Sequence, residues 1–138
     1  MRRLTLASVA MTTIVLGACS STSGTGPAVN PNVFPTQYRN EIITTLISAL
    51  DDPTGIRQAS ITDPVLRPAG QDQRYAVCMR FDARDAQRRY TGLTERIAYF
   101  YAGHLNQLVK TTSPDQCAGM AYKPWPELEK YCLAKSCS

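Results

Sequence analysis

The amino-acid sequence predicts an α+β domain in which one amphipathic helix packs on a small, about three-stranded antiparallel sheet. One stretch has apolar residues at helical spacing, and later stretches alternate apolar and polar residues as half-buried strands do. Four of the five cysteines lie in the second half of the chain, and an even number is typical of paired disulfides. We therefore expect disulfide bonds to tie the C-terminal tail to the sheet.

The helix is predicted over residues 36–52. Thr36 is the expected N-cap after Pro35, and Pro53 ends the helix because the residue before a proline is kept out of the helical region. The four residues Asp52-Pro53-Thr54-Gly55 are typical of a turn. The apolar stripe that should pack on the sheet contains Tyr38, Ile42, Ile43, Leu46, Ile47 and Leu50.

Strands are predicted over residues 56–65, 73–82 and 96–102. The first contains Pro64 and is therefore expected at an edge of the sheet. The second alternates, so one set of its side chains should face the helix while Cys78 points to the opposite face. The helix-facing set is Tyr75, Val77, Met79 and Phe81. Residues 67–72 are predicted to be a loop, and the polar residues 83–95 a long hairpin connection.

The cysteines of the second half allow three disulfide pairings. They are Cys78, Cys117, Cys132 and Cys137. We favour Cys132 with Cys137, which would close a short C-terminal loop, and Cys78 with Cys117, since a C-terminal segment covering the second face would meet Cys78. A zinc site is the alternative reading, but no CxxC pair occurs and His104 is the only histidine, so no metal site is expected.

The first nineteen residues have the pattern of an export signal. Arg2 and Arg3 are followed by an uncharged, mostly apolar run over residues 4–16, which is typical of a secretory signal peptide. The run ends in Leu16-Gly17-Ala18-Cys19, which resembles the lipobox of bacterial lipoprotein precursors. The resemblance implies cleavage between Ala18 and Cys19, a diacylglyceryl group on the Cys19 sulfur, and acylation of its new amino group.

The predicted organisation follows from this resemblance. Residues 1–18 are the signal peptide, residues 19–35 the lipidated cysteine and a flexible tether rich in Ser, Thr, Gly and then Pro, and residues 36–138 a single globular domain. Similarity to enterobacterial sorting implies that Ser20, next to the lipidated position, permits transfer to the outer membrane. The expected location is the bacterial envelope, anchored in the outer membrane and facing the periplasm.

Charge and the arginine distribution narrow the expected partners. The formal net charge is +4, of which Arg2 and Arg3 leave with the signal, so 4 − 2 = +2 remains, and no nucleic-acid partner is expected. Five arginines lie between residues 80 and 96, and guanidinium groups suit phosphates and carboxylates. The candidate anion contacts are Arg84, Arg88 and Arg89. The expected ligands are lipid headgroups, lipopolysaccharide phosphates or wall carboxylates.

No pattern in the sequence predicts catalysis. The sequence has no GxSxG motif, so it offers no nucleophilic serine of that type for His104 to activate. Asp51 and Asp52 are adjacent carboxylates, but the turn at Pro53 accounts for them, since aspartate side chains bond nearby backbone amides in turns. We therefore expect no catalytic residues, no cofactor and no enzymatic activity.

Three short stretches resemble small bacterial envelope proteins built as a helix followed by a three-stranded antiparallel meander. They are Asp52-Pro53-Thr54-Gly55, residues 75–81 and Tyr90-Thr91-Gly92, within residues 36–109. The expected function is that of a lipid-anchored, non-enzymatic protein that binds an envelope component or a protein partner. The alternative is a periplasmic inhibitor-like module acting on a lysozyme or protease.

Overall fold

A computed structural model describes residues 26–131. The predicted signal peptide, the lipidation site at Cys19, its cleavage partner Ala18, and the cysteines Cys132 and Cys137 lie outside the described residues. The elements are α1 (Tyr38–Ala49), β1 (Asp52–Thr62), β2 (Val65–Ala69), β3 (Asp72–Arg84), β4 (Tyr90–Tyr101), β5 (His104–Lys110), a 3-10 turn (Pro114–Gln116), β6 (Tyr122–Pro124) and α2 (Pro126–Glu129).

The molecule is mostly β, so the predicted α+β class with about three strands is wrong. All six strands belong to one antiparallel sheet in the order β5-β4-β3-β1-β6, and β2 also pairs with β3. Strands account for 48% of the described residues and helices for 18%. One longer helix does pack on the sheet, but the sheet has twice as many strands as the sequence pattern indicated.

The additional strands come from segments that contain turn-forming residues, which is why the sequence pattern did not indicate strands there. β1 and β2 both pair with β3, so they act as one strand interrupted at Asp63 and Pro64. Pro64 has no backbone N–H to donate to a partner strand, which accounts for the break. The loop predicted over residues 67–72 is instead the end of β2 and a tight turn at Gly70, whose φ is +66°.

The polar stretch predicted as a long connection is mostly strand. β3 continues to Arg84 and β4 begins at Tyr90, which leaves only residues 85–89 for the turn. Of its charged residues, Glu95 lies directly opposite Arg80 on the neighbouring strand. In the tail, residues 122–124 form β6 and add a further strand beside β1.

Helix α1 is shorter than predicted at both ends. Gln37, rather than Thr36, is its N-cap, and the helix ends at Ala49 because Leu50 already has an extended backbone. The predicted turn after it lies inside β1, where the Asp52 carboxylate accepts hydrogen bonds from the backbone N–H and the hydroxyl of Thr54 at 2.9 and 2.5 Å. The local turn chemistry is therefore present, but within a strand.

The main core lies between α1 and the sheet. Ile42 and Leu46 of the helix are fully buried, and the predicted helix-facing set of β3 is confirmed by its packing in this core. Trp125 and Leu128 close the same core from the C-terminal side. Its buried members are Ile42, Leu46, Ile56, Ala59, Ile61, Val77, Met79, Phe81, Ala83, Ala98, Phe100, Trp125 and Leu128, with Tyr75 packed against them.

The opposite face of the sheet is covered by the segment that runs from β5 to β6. Cys117 in this segment forms a disulfide with Cys78 of β3, with 6.0 Å between their Cα atoms. This is the pairing favoured for these two cysteines from the sequence. The bridge lies in a second small core with Ala76 and Ile97. It attaches the C-terminal part of the domain to the centre of the sheet.

The last residues assigned to the tether contact the domain. Pro35 is buried, and the Pro31 carbonyl accepts a 2.9 Å hydrogen bond from the backbone N–H of Ala102. The ring of Phe34 meets the ring of Tyr75 edge-on, with 5.3 Å between centroids. The chain therefore joins the domain at the end of the sheet that carries the β4–β5 turn.

Candidate functional site

The three arginines predicted as anion contacts lie around the β3–β4 hairpin. Arg84 is engaged internally, with its Nε 2.9 Å from an Asp52 carboxylate oxygen and its terminal nitrogen 2.9 Å from the Thr54 carbonyl. Arg89 pairs with Asp85 at 3.0 Å. Arg88 is 75% exposed at its side chain, and its Nε is 4.0 Å from Asp52. The Arg89 side chain is as exposed, at 74%, but it is paired with Asp85, so Arg88 is the least engaged of the three.

The turn that carries Arg88 is fixed by the carboxylate of Asp85. This group accepts 2.9 Å hydrogen bonds from the backbone N–H groups of Gln87 and Arg89. The bond from the Arg89 backbone is the main cause that lowers the pKa of Asp85. Arg88 has a φ of +62°, in the left-handed region that turn geometry requires. The exposed guanidinium thus projects from a well-defined turn.

A cavity of about 310 Å³ lies on the helix side of the sheet, near this hairpin. Its wall is formed by the C-terminal end of α1, through Ala49 and Leu50, and by the apolar side chains of Phe81 and Ala83. Its basic residues include Arg96 of β4 and Lys110 of β5. The cavity is therefore lined by both apolar and charged side chains, with Arg96 and Lys110 among the latter.

Arg96 and Lys110 are directly opposite each other on neighbouring strands. At the next register position the Thr111 N–H donates to the Glu95 carbonyl at 3.2 Å. The Arg96–Lys110 position is therefore a non-hydrogen-bonded pair of the ladder, where opposed side chains lie closest. Like charges in this arrangement destabilise a sheet.

Within residues 26–131, neither cation has a carboxylate partner within 4.0 Å, and the guanidinium of Arg96 makes no hydrogen bond. Arg96 is half-buried beside the Phe81 ring, with 5.9 Å between its guanidinium carbon and the ring centroid. Burial lowers the pKa of Arg96 from its usual range. Asp51 and Asp85 also line the cavity, and Asp85 already pairs with Arg89.

A second charged cluster lies on the other face of the sheet and is internally satisfied. Glu95 accepts 2.6 Å hydrogen bonds from Arg80 and from the Tyr122 hydroxyl, and Arg80 stacks 4.0 Å from the centroid of the Tyr122 ring. Burial raises the pKa of Glu95, but the bonds from Tyr122 and Arg80 outweigh it and lower the pKa overall. All three groups are used within the fold, so the cluster is structural.

The lone histidine is likewise explained locally. His104 is 3.2 Å from Glu41, whose second carboxylate oxygen accepts a 2.5 Å hydrogen bond from the Leu105 backbone. Across the described part of the chain, no group of three or more His, Cys, Asp or Glu side chains could hold a metal ion. Between residues 26 and 131 no helix has the length and apolarity needed to cross a bilayer.

Sequence reasoning included Arg96 among the clustered arginines but missed Lys110 and the cavity. Lys110 joins Arg96 only because the chain reverses at Ala102 and Gly103 and forms a separate strand. The sequence did contain one signal for this reversal: Gly103 lies between two runs of alternating apolar residues, a pattern compatible with a tight hairpin. Gly103 has a φ of +84°, as such a turn requires.

No protein-family model matches the chain, and comparison with curated proteins and with solved structures gave no match. Its function is therefore inferred from the residues described above.

Proposed function

We propose that this chain is a non-enzymatic, lipid-anchored protein of the bacterial envelope that binds an envelope component or a protein partner at the end of its sheet remote from the anchor. One observation supports this most directly: the predicted tether joins the domain beside Tyr75, whereas the arginine-bearing hairpin lies beyond Arg84. Both residues belong to β3, and nine residue steps of strand correspond to roughly 30 Å.

The distribution of exposed apolar side chains supports this orientation. Of the eight large hydrophobic residues exposed within residues 26–131, six lie on the tether side of the domain, and only Tyr90 and Leu93 belong to the hairpin side. The six are Val29, Val33, Phe34, Val65, Leu66 and Tyr101. Exposed apolar groups of this kind suit a surface close to lipid.

The chain length between the predicted anchor and the described residues is also consistent. Seven residue steps separate Cys19 from Gly26, and a fully extended chain covers at most about 3.6 Å per step, or roughly 25 Å. A lipid on Cys19 would therefore keep the tether side of the domain near the bilayer and leave the arginine hairpin facing the periplasm.

The anchor is tested by the location of the chain in its native envelope. We expect Cys19→Ala to move the protein from the membrane fraction to the soluble or precursor pool, while the matched variant Ser20→Ala stays in the membrane. Mass spectrometry of the mature N-terminus should find a diacylglyceryl group on Cys19. Unprocessed protein starting at Met1, or a free Cys19 thiol, would contradict the anchoring proposal.

Partner binding at the remote end is tested by site-specific crosslinking in intact cells. A photoactivatable residue at position 87, on the hairpin turn beside Arg88, should capture a partner that the same residue at position 71, on the β2–β3 turn, does not. Capture only from position 71 would contradict the proposed orientation. A partner captured from position 87 should be lost when Arg88→Glu is added, since this change replaces the guanidinium by a carboxylate.

The inhibitor-like function is the second candidate, and the exposed Arg88 on its fixed turn favours it. An arginine presented on a rigid, hydrogen-bonded loop fits the specificity pocket of an enzyme that accepts basic side chains. The chain from residue 19 onward with Cys19→Ser should then inhibit a trypsin-like protease or a lysozyme at stoichiometric concentration. Arg88→Ala should abolish that inhibition, and absence of inhibition across such a panel would reject this candidate.

A further inference from the structure

We propose that the cavity between the end of α1 and strands β3, β4 and β5 binds the carboxylate of a small, monoanionic molecule or peptide terminus through Arg96 and Lys110. This inference deepens the proposed binding function by naming a ligand class for the hairpin half of the domain. It does not depend on the lipid anchor, so the two can fail separately.

The need for an anion follows from the position of the two cations. Arg96 and Lys110 are opposed on adjacent strands, in the register where side chains lie closest. Among the described residues, neither has a carboxylate within 4.0 Å, although most other arginines of the domain do. A bound anion between the two groups would convert a repulsive pair into two charge-assisted hydrogen bonds.

The charge balance of the cavity favours a single negative charge. Arg96 and Lys110 contribute two positive charges, against the exposed Asp51 and about half a negative charge from the C-terminal end of α1. Arg84 and Asp85 also line the cavity, but each is already paired with a residue outside it, Asp52 and Arg89. The excess is thus about half a positive charge, which matches a monoanion better than a dianionic phosphate.

The available donors favour a carboxylate with two oxygen atoms. The hydroxyls of Thr91 and Thr94 on the cavity wall already donate to the backbone carbonyls of Ala83 and Phe81, at 3.2 Å each. Arg96 and Lys110 therefore remain as the donors, one group for each oxygen. A tetrahedral phosphate would leave further oxygens facing the helix end and Asp51.

The rest of the cavity favours a small apolar body on the ligand. Its volume of about 310 Å³ is at the lower limit for a small-molecule site, and Leu50, Phe81 and Ala83 supply apolar wall. An alanine-sized side chain next to a terminal carboxylate fits this description. N-acetyl-alanine is therefore a suitable probe, and N-acetyl-alaninamide is its neutral counterpart.

The experiment uses the chain from residue 19 to residue 138 with Cys19→Ser, and follows its backbone amide resonances during titration with each probe. We expect saturable shifts at Phe81, Thr94 and Lys110 with N-acetyl-alanine and none with N-acetyl-alaninamide. Inorganic phosphate, titrated as a third probe, should bind more weakly. Equal shifts with the neutral probe, no saturable shift, or tighter binding of phosphate would each overturn the proposal.

The variants assign the binding to the two cations. Arg96→Gln and Lys110→Gln should each weaken N-acetyl-alanine binding about tenfold or more, since each removes a hydrogen bond to a charged group. The matched controls Arg74→Gln and Lys123→Gln, which remove cations on other parts of the sheet, should leave the affinity unchanged. Unchanged affinity in Lys110→Gln, whose side chain is exposed and tolerant of substitution, would overturn the proposal even where Arg96→Gln fails to fold.

Thermal unfolding gives a second readout. In the absence of ligand, Arg96→Gln should be at least as stable as the parent chain, because it removes repulsion from Lys110 and a half-buried charge. A purely structural arginine would instead lower the midpoint when removed. The midpoint increase caused by N-acetyl-alanine should disappear in Arg96→Gln and persist in Arg74→Gln.

Discussion

The Tyr122 hydroxyl donates a 2.6 Å hydrogen bond to the carboxylate of Glu95, which lies 27 residues away in the chain. Tyr122 opens β6 at one edge of the sheet, and Glu95 belongs to β4, from which β6 is separated by β1 and β3. Arg80 lies between them and contacts both. The segment that covers this face is therefore attached to the sheet by a polar bridge as well as by the disulfide.

Loss of this hydroxyl should destabilise the domain. Tyr122→Phe removes a hydrogen bond to a charged and half-buried carboxylate, so we expect the free energy of unfolding to fall by about 1.5–3 kcal/mol. Urea unfolding measures the change. The control is Tyr99→Phe on the same face, whose hydroxyl makes no hydrogen bond to the described residues and whose removal should cost much less. Similar losses in the two variants would show that the Glu95 bond contributes little.

The same contact predicts a loss of stability at alkaline pH. Burial and the adjacent Glu95 carboxylate raise the pKa of Tyr122. Because the folded pKa is raised, the contribution to stability is complete below the unfolded value of about 10 and is lost as pH rises through the folded value. Unfolding experiments above that pH should show a decline in the parent chain that is smaller in Tyr122→Phe. Tyrosinate absorbance should show one tyrosine that ionises only on unfolding.

The parts of the fold that could be predicted from the sequence are those in which the periodic spacing of apolar residues is uninterrupted. The alternation from Tyr75 to Phe81 identified the central strand, its helix-facing side and the opposite orientation of Cys78, because burial on two distinct faces leaves a regular pattern. It did not predict β2 or β6, since Pro68 and Pro124 argue against strands and are tolerated only where their missing N–H groups are not needed.

The candidate site could be predicted only in part, for a related reason. Arg84 and Arg89 are clustered in sequence, yet the structure pairs them with Asp52 and Asp85. The cation that matters beside Arg96 is Lys110, which strand register brings to it from another strand. The sequence shows where the arginines cluster. Which of them have a carboxylate partner depends on the fold, because partners such as Asp52 come from other parts of the chain.

Removal of the Cys78–Cys117 disulfide should be strongly destabilising. The bridge closes a loop with a sequence separation of 39, for which chain entropy gives about 4 kcal/mol of stabilisation. We expect Cys78→Ala with Cys117→Ala to lower the free energy of unfolding by up to about this amount. The comparison is Cys132→Ala with Cys137→Ala, where the predicted pairing closes a much shorter loop and should contribute less. A larger loss in the second pair would contradict the assignment of the first as the main covalent constraint.

Gly55 and Gly70 form a matched pair that isolates the contact between Gly55 and Arg84. Their φ angles are +65° and +66°, so substitution by alanine imposes similar backbone strain, on the order of 1–2 kcal/mol, at both. A Cβ at Gly55 would lie 2.9 Å from the Arg84 guanidinium, whereas a Cβ at Gly70 meets nothing within 4 Å. Arg84 can move away, but only by leaving Asp52 and Thr54.

We therefore expect Gly55→Ala to lower the free energy of unfolding by about 1–2 kcal/mol more than Gly70→Ala, the cost of disrupting a partly buried charge pair. A double-mutant cycle with Arg84→Ala checks the cause, because the excess should vanish once the guanidinium is absent. Urea unfolding of the four variants measures it. Equal losses of stability at the two glycines in the parent background, or an excess loss that persists without Arg84, would contradict this explanation. Either result would mean that a Cβ at position 55 does not displace the Arg84 guanidinium.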